Sequence, residues 1–326
     1  MRVRDRRAMF ALLVPAALTV LFFGSAYFYS VYEIDGLRDR YPPSGEFASI
    51  DGTTLHYVDS GTGSPIVLLH GASSSLLDFE ASIAPSLRKM HRVISIDRPG
   101  YGFSTRLTGA WADPADQAAS IHALLKRIGV ERAIIVGHSL GGAVTMAYGL
   151  AYPQQTAAVV LIAGASHPWE SGVAWSNHVA TWPLLGPLFA NTVVVPAGQF
   201  ALSKAIAEVF APNSPQPEYE DKTGVRLALR PGPFLASAED ILRLSPYLAH
   251  QSRHYEQLKM PLLLITGEDD TMVPAWNHSE RLVKLLPNAQ LISIPNTGHA
   301  PHHVRGPLVV RQISDFVKSL GSLNGS

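Results

Sequence analysis

The chain has 326 residues, no cysteine, and 26 basic side chains balanced by 26 acidic ones, for a formal net charge of zero. Hydrophobic residues make up 47% and charged residues only 16%, against about 25% charged in an ordinary soluble domain. These figures exclude a disordered chain and a nucleic-acid protein that works through a strong overall positive field. They also exclude any disulfide framework, cysteine-ligated metal or thiol nucleophile.

Residues 8–32 form a run of 25 without a charge, 20 of them apolar. As a helix, at ~1.5 Å per residue, the run reaches about 37 Å, enough to cross a hydrocarbon core of about 30 Å. Arg2, Arg4, Arg6 and Arg7 precede it with only Asp5 opposing, so the positive-inside rule keeps the N-terminus cytoplasmic and exports the rest. Tyr27, Phe28, Tyr29 and Tyr32 at the far end suit an interfacial aromatic belt. The spacing favours an uncleaved single-pass anchor in the cytoplasmic membrane over residues 1–32, with the globular part on the extracytoplasmic side. The alternative is a secreted protein, with a signal peptide cleaved after Gly24-Ser25-Ala26.

Residues 33–46 carry six charges and the breakers Pro42-Pro43, and read as a juxtamembrane linker. A hairpin follows, with runs 47–50 and 54–59 around the turn Asp51-Gly52. Short runs rich in Val, Ile and Leu then recur at 66–69, 93–96, 133–136, 158–162, 262–266 and 291–294. Such runs predict strands covered on both faces. Helical patterns lie between them at 114–128, 141–151, 277–286 and 307–320, so the alternation predicts an α/β fold with a mostly parallel sheet. It breaks once, over 166–259, where Trp169, Trp175, Trp182 and many prolines predict an inserted helical lid. The core is thus expected in two parts, 47–165 and 260–320, with a tail at 321–326.

The sharpest chemical signal is Gly137-His138-Ser139-Leu140-Gly141-Gly142, a G-x-S-x-G motif placed between a predicted strand and a predicted helix, as that motif requires. The tight turn lifts the serine hydroxyl clear of the sheet, and the helix N-terminus beneath favours developing negative charge. Alone, the motif also fits a glycine-rich helix start with Ser139 as N-cap. A nucleophilic serine needs a base, and the base needs an acid to orient it. Asp270 follows the strand at 262–266 and His299 follows the strand at 291–294. The order serine, acid, histidine is the one this architecture uses, and all three project from C-terminal strand ends. Two backbone donors must meet the oxyanion: the amide of Leu140, and the amide of Ala72 in Leu69-His70-Gly71-Ala72-Ser73 after the first core strand.

His302 and His303 follow His299 closely, but the segment holds no acidic residue; they read as polar residues beside the site, with no metal expected. His70 and His138 read as packing or hydrogen-bonding residues. Trp169, Trp175 and Trp182 are candidates to line an apolar substrate pocket.

From residue 47 to 320 the chain resembles the α/β-hydrolase superfamily, specifically its lid-bearing serine esterase and lipase group with an epoxide-hydrolase-like layout. Besides Ser139, Asp270 and His299, the resemblance rests on Asp97-Arg98-Pro99-Gly100-Tyr101-Gly102-Phe103-Ser104, similar to a structural D-x-P-G-x-G-x-S loop. It rests too on 267–274, similar to the acid loop G-x-x-D-x-x-V-P, which favours Asp270 over Asp269. The resemblance implies an eight-stranded sheet with helices on both faces, no cofactor, and a lid over the substrate. Serine where epoxide hydrolases carry aspartate implies acyl chemistry. The expected function is hydrolysis of a carboxylic ester, an uncharged lipophilic one on the composition of the lid, through an acyl-enzyme; acylglycerols, other lipid esters and short acyl esters all fit. Alternatives are a carbon–carbon bond hydrolase or lactonase on the same triad, and a non-hydrolytic ligand receptor. The expected partners are a small ester or lipid substrate and the membrane, without nucleic acid or an obligate protein partner.

Overall fold

Asp51 and Gly52 adopt φ of 46° and 82°, the left-handed pair that closes a two-residue hairpin with the right twist. The turn joins β1 (Glu46–Ile50) to β2 (Thr53–Ser60) in antiparallel pairing. The computed structural model describes residues 3–106, 112–170 and 172–323, with side chains only from 13 to 321. Arg2 lies outside the described residues, as do the side chains of Arg4, Arg6 and Arg7 and the final 324–326.

Six further strands follow: β3 (Pro65–Leu69), β4 (Arg92–Ile96), β5 (Ala133–His138), β6 (Thr156–Ile162), β7 (Leu262–Gly267) and β8 (Ala289–Ile294). They form one eight-stranded sheet in the order β1-β2-β4-β3-β5-β6-β7-β8. β2 runs antiparallel to β4, and every pair beyond it is parallel. Alternate residues feed opposite layers. Val67, Leu69 and Ile135 pack under helices Pro114–Arg127 and Leu140–Ala151, whereas Ile66, Leu68, Ile134 and Val136 pack with Phe79, Ile83 and helix Gly306–Leu323. Helix Pro114–Arg127 starts where Asp113 accepts from the amide of Ala115 at 2.8 Å and proline fills the first turn, both preferred helix starts.

Between β6 and β7 the chain leaves the sheet for a helical insertion. Its helices are Trp175–Ala180, Leu185–Thr192, Val194–Phe210, Tyr219–Thr223 and Pro231–Gln251. The last of these returns Leu244 and Leu248 to the core beside Ala143 and Val144.

The juxtamembrane segment departs from the expected spacer. One helix, Val3–Arg40, runs through residues 33–40 without a break. It stops just short of Pro42-Pro43, where the missing amide and the ring of proline end helices. Beyond the apolar run this helix is docked: Leu37 and Tyr41 are buried with Leu227 of the insertion. Between β3 and β4, where no helix was legible, two four-residue turns, Leu77–Glu80 and Ala84–Leu87, make the crossover.

Candidate active site

Ser139 sits between β5 and helix Leu140–Ala151 with φ 51° and ψ −123°. Glycines permit the turn: a Cβ on Gly137 would overlap the Gly141 carbonyl and the Thr145 hydroxyl, and one on Gly141 would overlap the carbonyls of Leu69 and His70. The Ser139 amide donates to Ile162 O at 3.1 Å, and its carbonyl accepts from Gly142 and Ala165, both at 2.9 Å. The backbone is pinned from both sides, and the hydroxyl stands clear.

His299 leaves the loop after β8. Its Nε2 lies 2.9 Å from Ser139 Oγ and its Nδ1 lies 2.8 Å from Asp270 Oδ2. A carboxylate only accepts, so His299 donates from Nδ1 and leaves Nε2 free to take the serine proton. The other Asp270 oxygen accepts the amides of Met272 and Val273, each at 2.9 Å. Burial opposes a charge on Asp270, but His299 and those two amides outweigh it and hold the carboxyl below its ordinary value. Neighbouring Asp269 is exposed. The His299 backbone is fixed by its amide donating to Val209 O at 3.2 Å and by its carbonyl accepting from His138 Nε2 at 2.9 Å.

The loop after β3 runs against the serine: a Cβ on Gly71 would stand 3.0 Å from that of Ser139. Among the described residues, the amides of Ala72 and Leu140 have no acceptor. Two unspent donors beside a serine hydroxyl can receive a developing oxyanion.

The family model of the alpha/beta hydrolase fold matches residues 64–305. This chain belongs to that family. It is similar to a 2-hydroxy-6-oxononadienedioate/2-hydroxy-6-oxononatrienedioate hydrolase of Burkholderia vietnamiensis, 28% identical over 82% of this chain and 93% of that protein. It is also similar to a bifunctional esterase/perhydrolase of Acinetobacter calcoaceticus, 26% identical over 84% of this chain and all of that protein. A solved structure of a membrane phospholipase A is 22% identical with a TM-score of 0.65, covering 98% of this chain and 99% of that one; the likeness is one of fold.

Within this α/β-hydrolase, fully buried Arg98 holds the loop after β3. Its Nε donates to His70 O at 2.8 Å and a terminal nitrogen to Gly71 O at 3.0 Å. The Arg98 amide donates to His70 Nε2 at 3.1 Å, and His70 Nδ1 lies 2.8 Å from Gly71 O. His70 is therefore a neutral imidazole of fixed tautomer. Burial, with Arg98 adding, pushes its pKa down to about 4.

Asp240 of helix Pro231–Gln251 completes this support and was not legible as a site residue. It accepts from Arg98 at 3.2 Å, Tyr101 Oη at 2.8 Å, Gln117 Nε2 at 3.0 Å and Arg106 at 2.6 Å. Its signal is phase: Ala236, Asp240, Leu244 and Leu248 recur every fourth residue and all are buried, so an acid stands in the apolar stripe.

Asp78 is the second such residue. Its two oxygens accept from His302 Nε2 at 2.9 Å and His303 Nε2 at 2.7 Å, with all three side chains buried. Burial opposes its charge, yet the two imidazoles hold the carboxyl well below its ordinary value. These three are the one set among the described residues whose donor atoms, within 4.8 Å of one another, could hold an ion; here they are spent on each other. His138 joins the group, its ring 4.3 Å from that of His302.

The tryptophans divide. Trp169 packs against the core and exchanges hydrogen bonds with Ser245 at 3.1 and 2.8 Å. Trp175 and Trp182 stand on the surface of the insertion, 69% and 52% exposed. They are not an interior lining: Trp175 opens one helix and Trp182 lies in the turn before the next, and these two helices bury the small residues Ala180, Gly186 and Ala190 instead.

Proposed function

We propose that this hydrolase cleaves lipophilic carboxylic esters through an acyl-enzyme, working at the membrane that its N-terminal helix enters. In this reading Ser139 attacks the ester carbonyl while His299 Nε2 takes its proton, and the amides of Ala72 and Leu140 receive the oxyanion. Asp270 holds the imidazole tautomer and stabilises the imidazolium that forms. The same proton then passes to the leaving alcohol. Water, deprotonated by His299, attacks the acyl-enzyme and releases the acid with Ser139 restored.

The observation that carries this is the unbroken line from Ser139 Oγ through His299 to Asp270 at 2.9 and 2.8 Å. The esterase activity in the name of the Acinetobacter relative and the uncharged stretch 171–203 of the insertion support an apolar ester as substrate. The Burkholderia relative favours a second reading, hydrolysis of a carbon–carbon bond on the same three side chains. A panel of p-nitrophenyl esters of rising acyl length separates the two. Multiple turnover supports the ester reading. Turnover of a vinylogous diketone with none of any ester overturns it. Stoichiometric acylation without turnover would favour a receptor. Fluorophosphonate labelling should vanish in Ser139→Ala; labelling that persists removes Ser139 as nucleophile.

A further inference from the structure

Beyond Arg40, ten large apolar side chains of the described residues are exposed, and six of them lie between 175 and 200: Trp175, Trp182, Leu184, Leu185, Leu188 and Phe200. Leu184 and Phe200 are 86% and 89% exposed. The patch sits in a second uncharged run, residues 171–203, where no Asp, Glu, Lys or Arg interrupts 33 positions. Single exposed apolar side chains are ordinary, but so many large ones within one short segment mark an interaction surface.

The same face adjoins the N-terminal helix. Phe22, Ser25, Ala26 and Tyr29 of that helix and Thr192, Val193, Pro196, Ala197 and Phe200 of the insertion line one apolar groove of about 480 Å³. The depth of this contact follows from helix geometry. Twenty residues counted from Ala8, at ~1.5 Å each, fill a hydrocarbon core of about 30 Å and end at Tyr27. Phe22 to Ala26 therefore lie within about 8 Å of the hydrocarbon boundary, on its inner side. Polar contacts begin just above: Tyr29 Oη donates to Gln199 Oε1 at 3.2 Å, and Gln199 Nε2 donates to Glu33 at 3.1 Å. The change from apolar to polar contact on the insertion thus falls at the level where the anchor itself leaves lipid.

We propose that the exposed apolar face of residues 175–200 is seated in the outer leaflet of the lipid bilayer beside the N-terminal helix. The proposal rests on the reading of residues 1–32 as a retained anchor. The chain bends by 68° between helices Leu185–Thr192 and Val194–Phe210, so this corner can dip into one leaflet without crossing it. Lys204 and Glu208 keep the far half of the second helix in water, 84% and 65% exposed. That helix, about 25 Å long, ends on the active site: Val209 O accepts the His299 amide, and Phe210 is buried against Tyr219 and His303. One rigid element therefore joins the lipid surface to the catalytic loop, and the substrate is an ester resident in that leaflet. A bilayer fits better than a second copy of the chain, because the patch is continuous with a helix that is already in lipid.

The absence of cysteine allows one NBD label at a time in the full chain, through F22C, L184C, F200C and K318C. Each is reconstituted in phosphatidylcholine vesicles with or without doxyl-labelled acyl chains. Labels at 22, 184 and 200 should be quenched several-fold more than the label at 318. Quenching at 22 with none at 184 and 200 overturns the proposal, and inter-copy cross-linking through 200 would then assign the face to a second copy. No quenching at 22 removes the anchor as well. A second arm reads activity: Phe200→Glu and Leu184→Glu should lower turnover of a vesicle-borne ester about tenfold, leaving turnover of soluble p-nitrophenyl butyrate unchanged. Equal effects on both substrates overturn the proposal. Should the wild type turn over no ester, the proposed activity fails while the quenching still reports the docking.

Discussion

Ser139 is held in a left-handed conformation, φ 51°, that costs a non-glycine residue about 1–3 kcal/mol. The hydrogen bonds to Ile162, Gly142 and Ala165 over-determine it, so the hydroxyl meets His299 without a search. The orientation of His299 in turn depends on Asp270. Asp270→Asn presents an amide that can donate to Nδ1 and select the wrong tautomer, so kcat should fall about 10⁴-fold with little change in melting temperature. Steady-state kinetics beside thermal unfolding checks this; a loss under tenfold would remove Asp270 from the mechanism. The buried histidines make a separate prediction. His70, His167 and His278 are each pushed down to about 4, burial being the main cause, whereas an unfolded histidine titrates near about 6.5. As pH falls from about 6.5 to about 4, the unfolded chain binds protons that the folded chain refuses. Stability is therefore complete above that window and declines through it, by ~1.4 kcal/mol per pH unit for each such group. His278 Nδ1 accepts from the amides of Ser166 and His167 at 3.1 and 3.2 Å, which an amide oxygen can replace. Unfolding free energy measured against pH should therefore show a shallower acid slope in His278→Gln than in the wild type. An unchanged slope would mean that His278 is not held neutral.

At the scale of elements, several side chains tie the insertion to the core, and Asp240 does so through four partners, Arg98, Tyr101, Arg106 and Gln117. It joins helix Pro231–Gln251 to Arg98, and Arg98 fixes the carbonyls of His70 and Gly71 next to the Ala72 amide that we propose as an oxyanion donor. Asp240→Ala leaves a buried guanidinium without its carboxylate, a loss of about 3–5 kcal/mol. The loop after β3 should loosen with it. Chemical denaturation should show the destabilisation, and at a temperature where the variant is folded kcat should fall more than KM rises. A variant with wild-type stability would refute this role. The strands of the core were legible because burial on both faces demands unbroken Val, Ile and Leu runs, and each predicted run lies inside an observed strand. Ser139, Asp270 and His299 were legible for a related reason, since each stands beside such a run with the turn residues its position needs. Asp78 and Asp240 were not, because their partners are fixed only by the fold. Asp78 meets His302 across 224 residues, and Asp240 meets Arg98 across 142. The helix through 33–40 is not legible in the sequence because Pro42-Pro43 and the charges at 33–40 dominate the local composition. Its helicity is settled by docking, through Leu37 and Tyr41 on Leu227 and through Arg40 to Asp221 at 2.6 Å.

The whole molecule depends on whether its first helix stays. Cleavage after Ala26 would remove Phe22, Ser25 and Ala26 from the groove they share with Val193, Pro196, Ala197 and Phe200. That would leave apolar surface with neither helix nor lipid over it, at a cost of about 25 cal/mol for each Å² exposed. Residues 27–40 would remain docked through Tyr29, Leu37 and Arg40, so cleavage would yield a folded but adhesive protein. Retention keeps the helix wall of that groove in place and would hold the globular part at the lipid surface, which an ester with long acyl chains hardly leaves. The mature protein is therefore expected to retain residues 8–26 and to stay with membranes through an alkaline carbonate wash. External protease should reach its globular part in spheroplasts but not in intact inverted vesicles, because the arginines before Ala8 favour the cytoplasmic side. An N-terminus near Tyr27, with the protein recovered in the soluble fraction, would refute retention. Protection in spheroplasts would refute the orientation alone and leave the anchor in place.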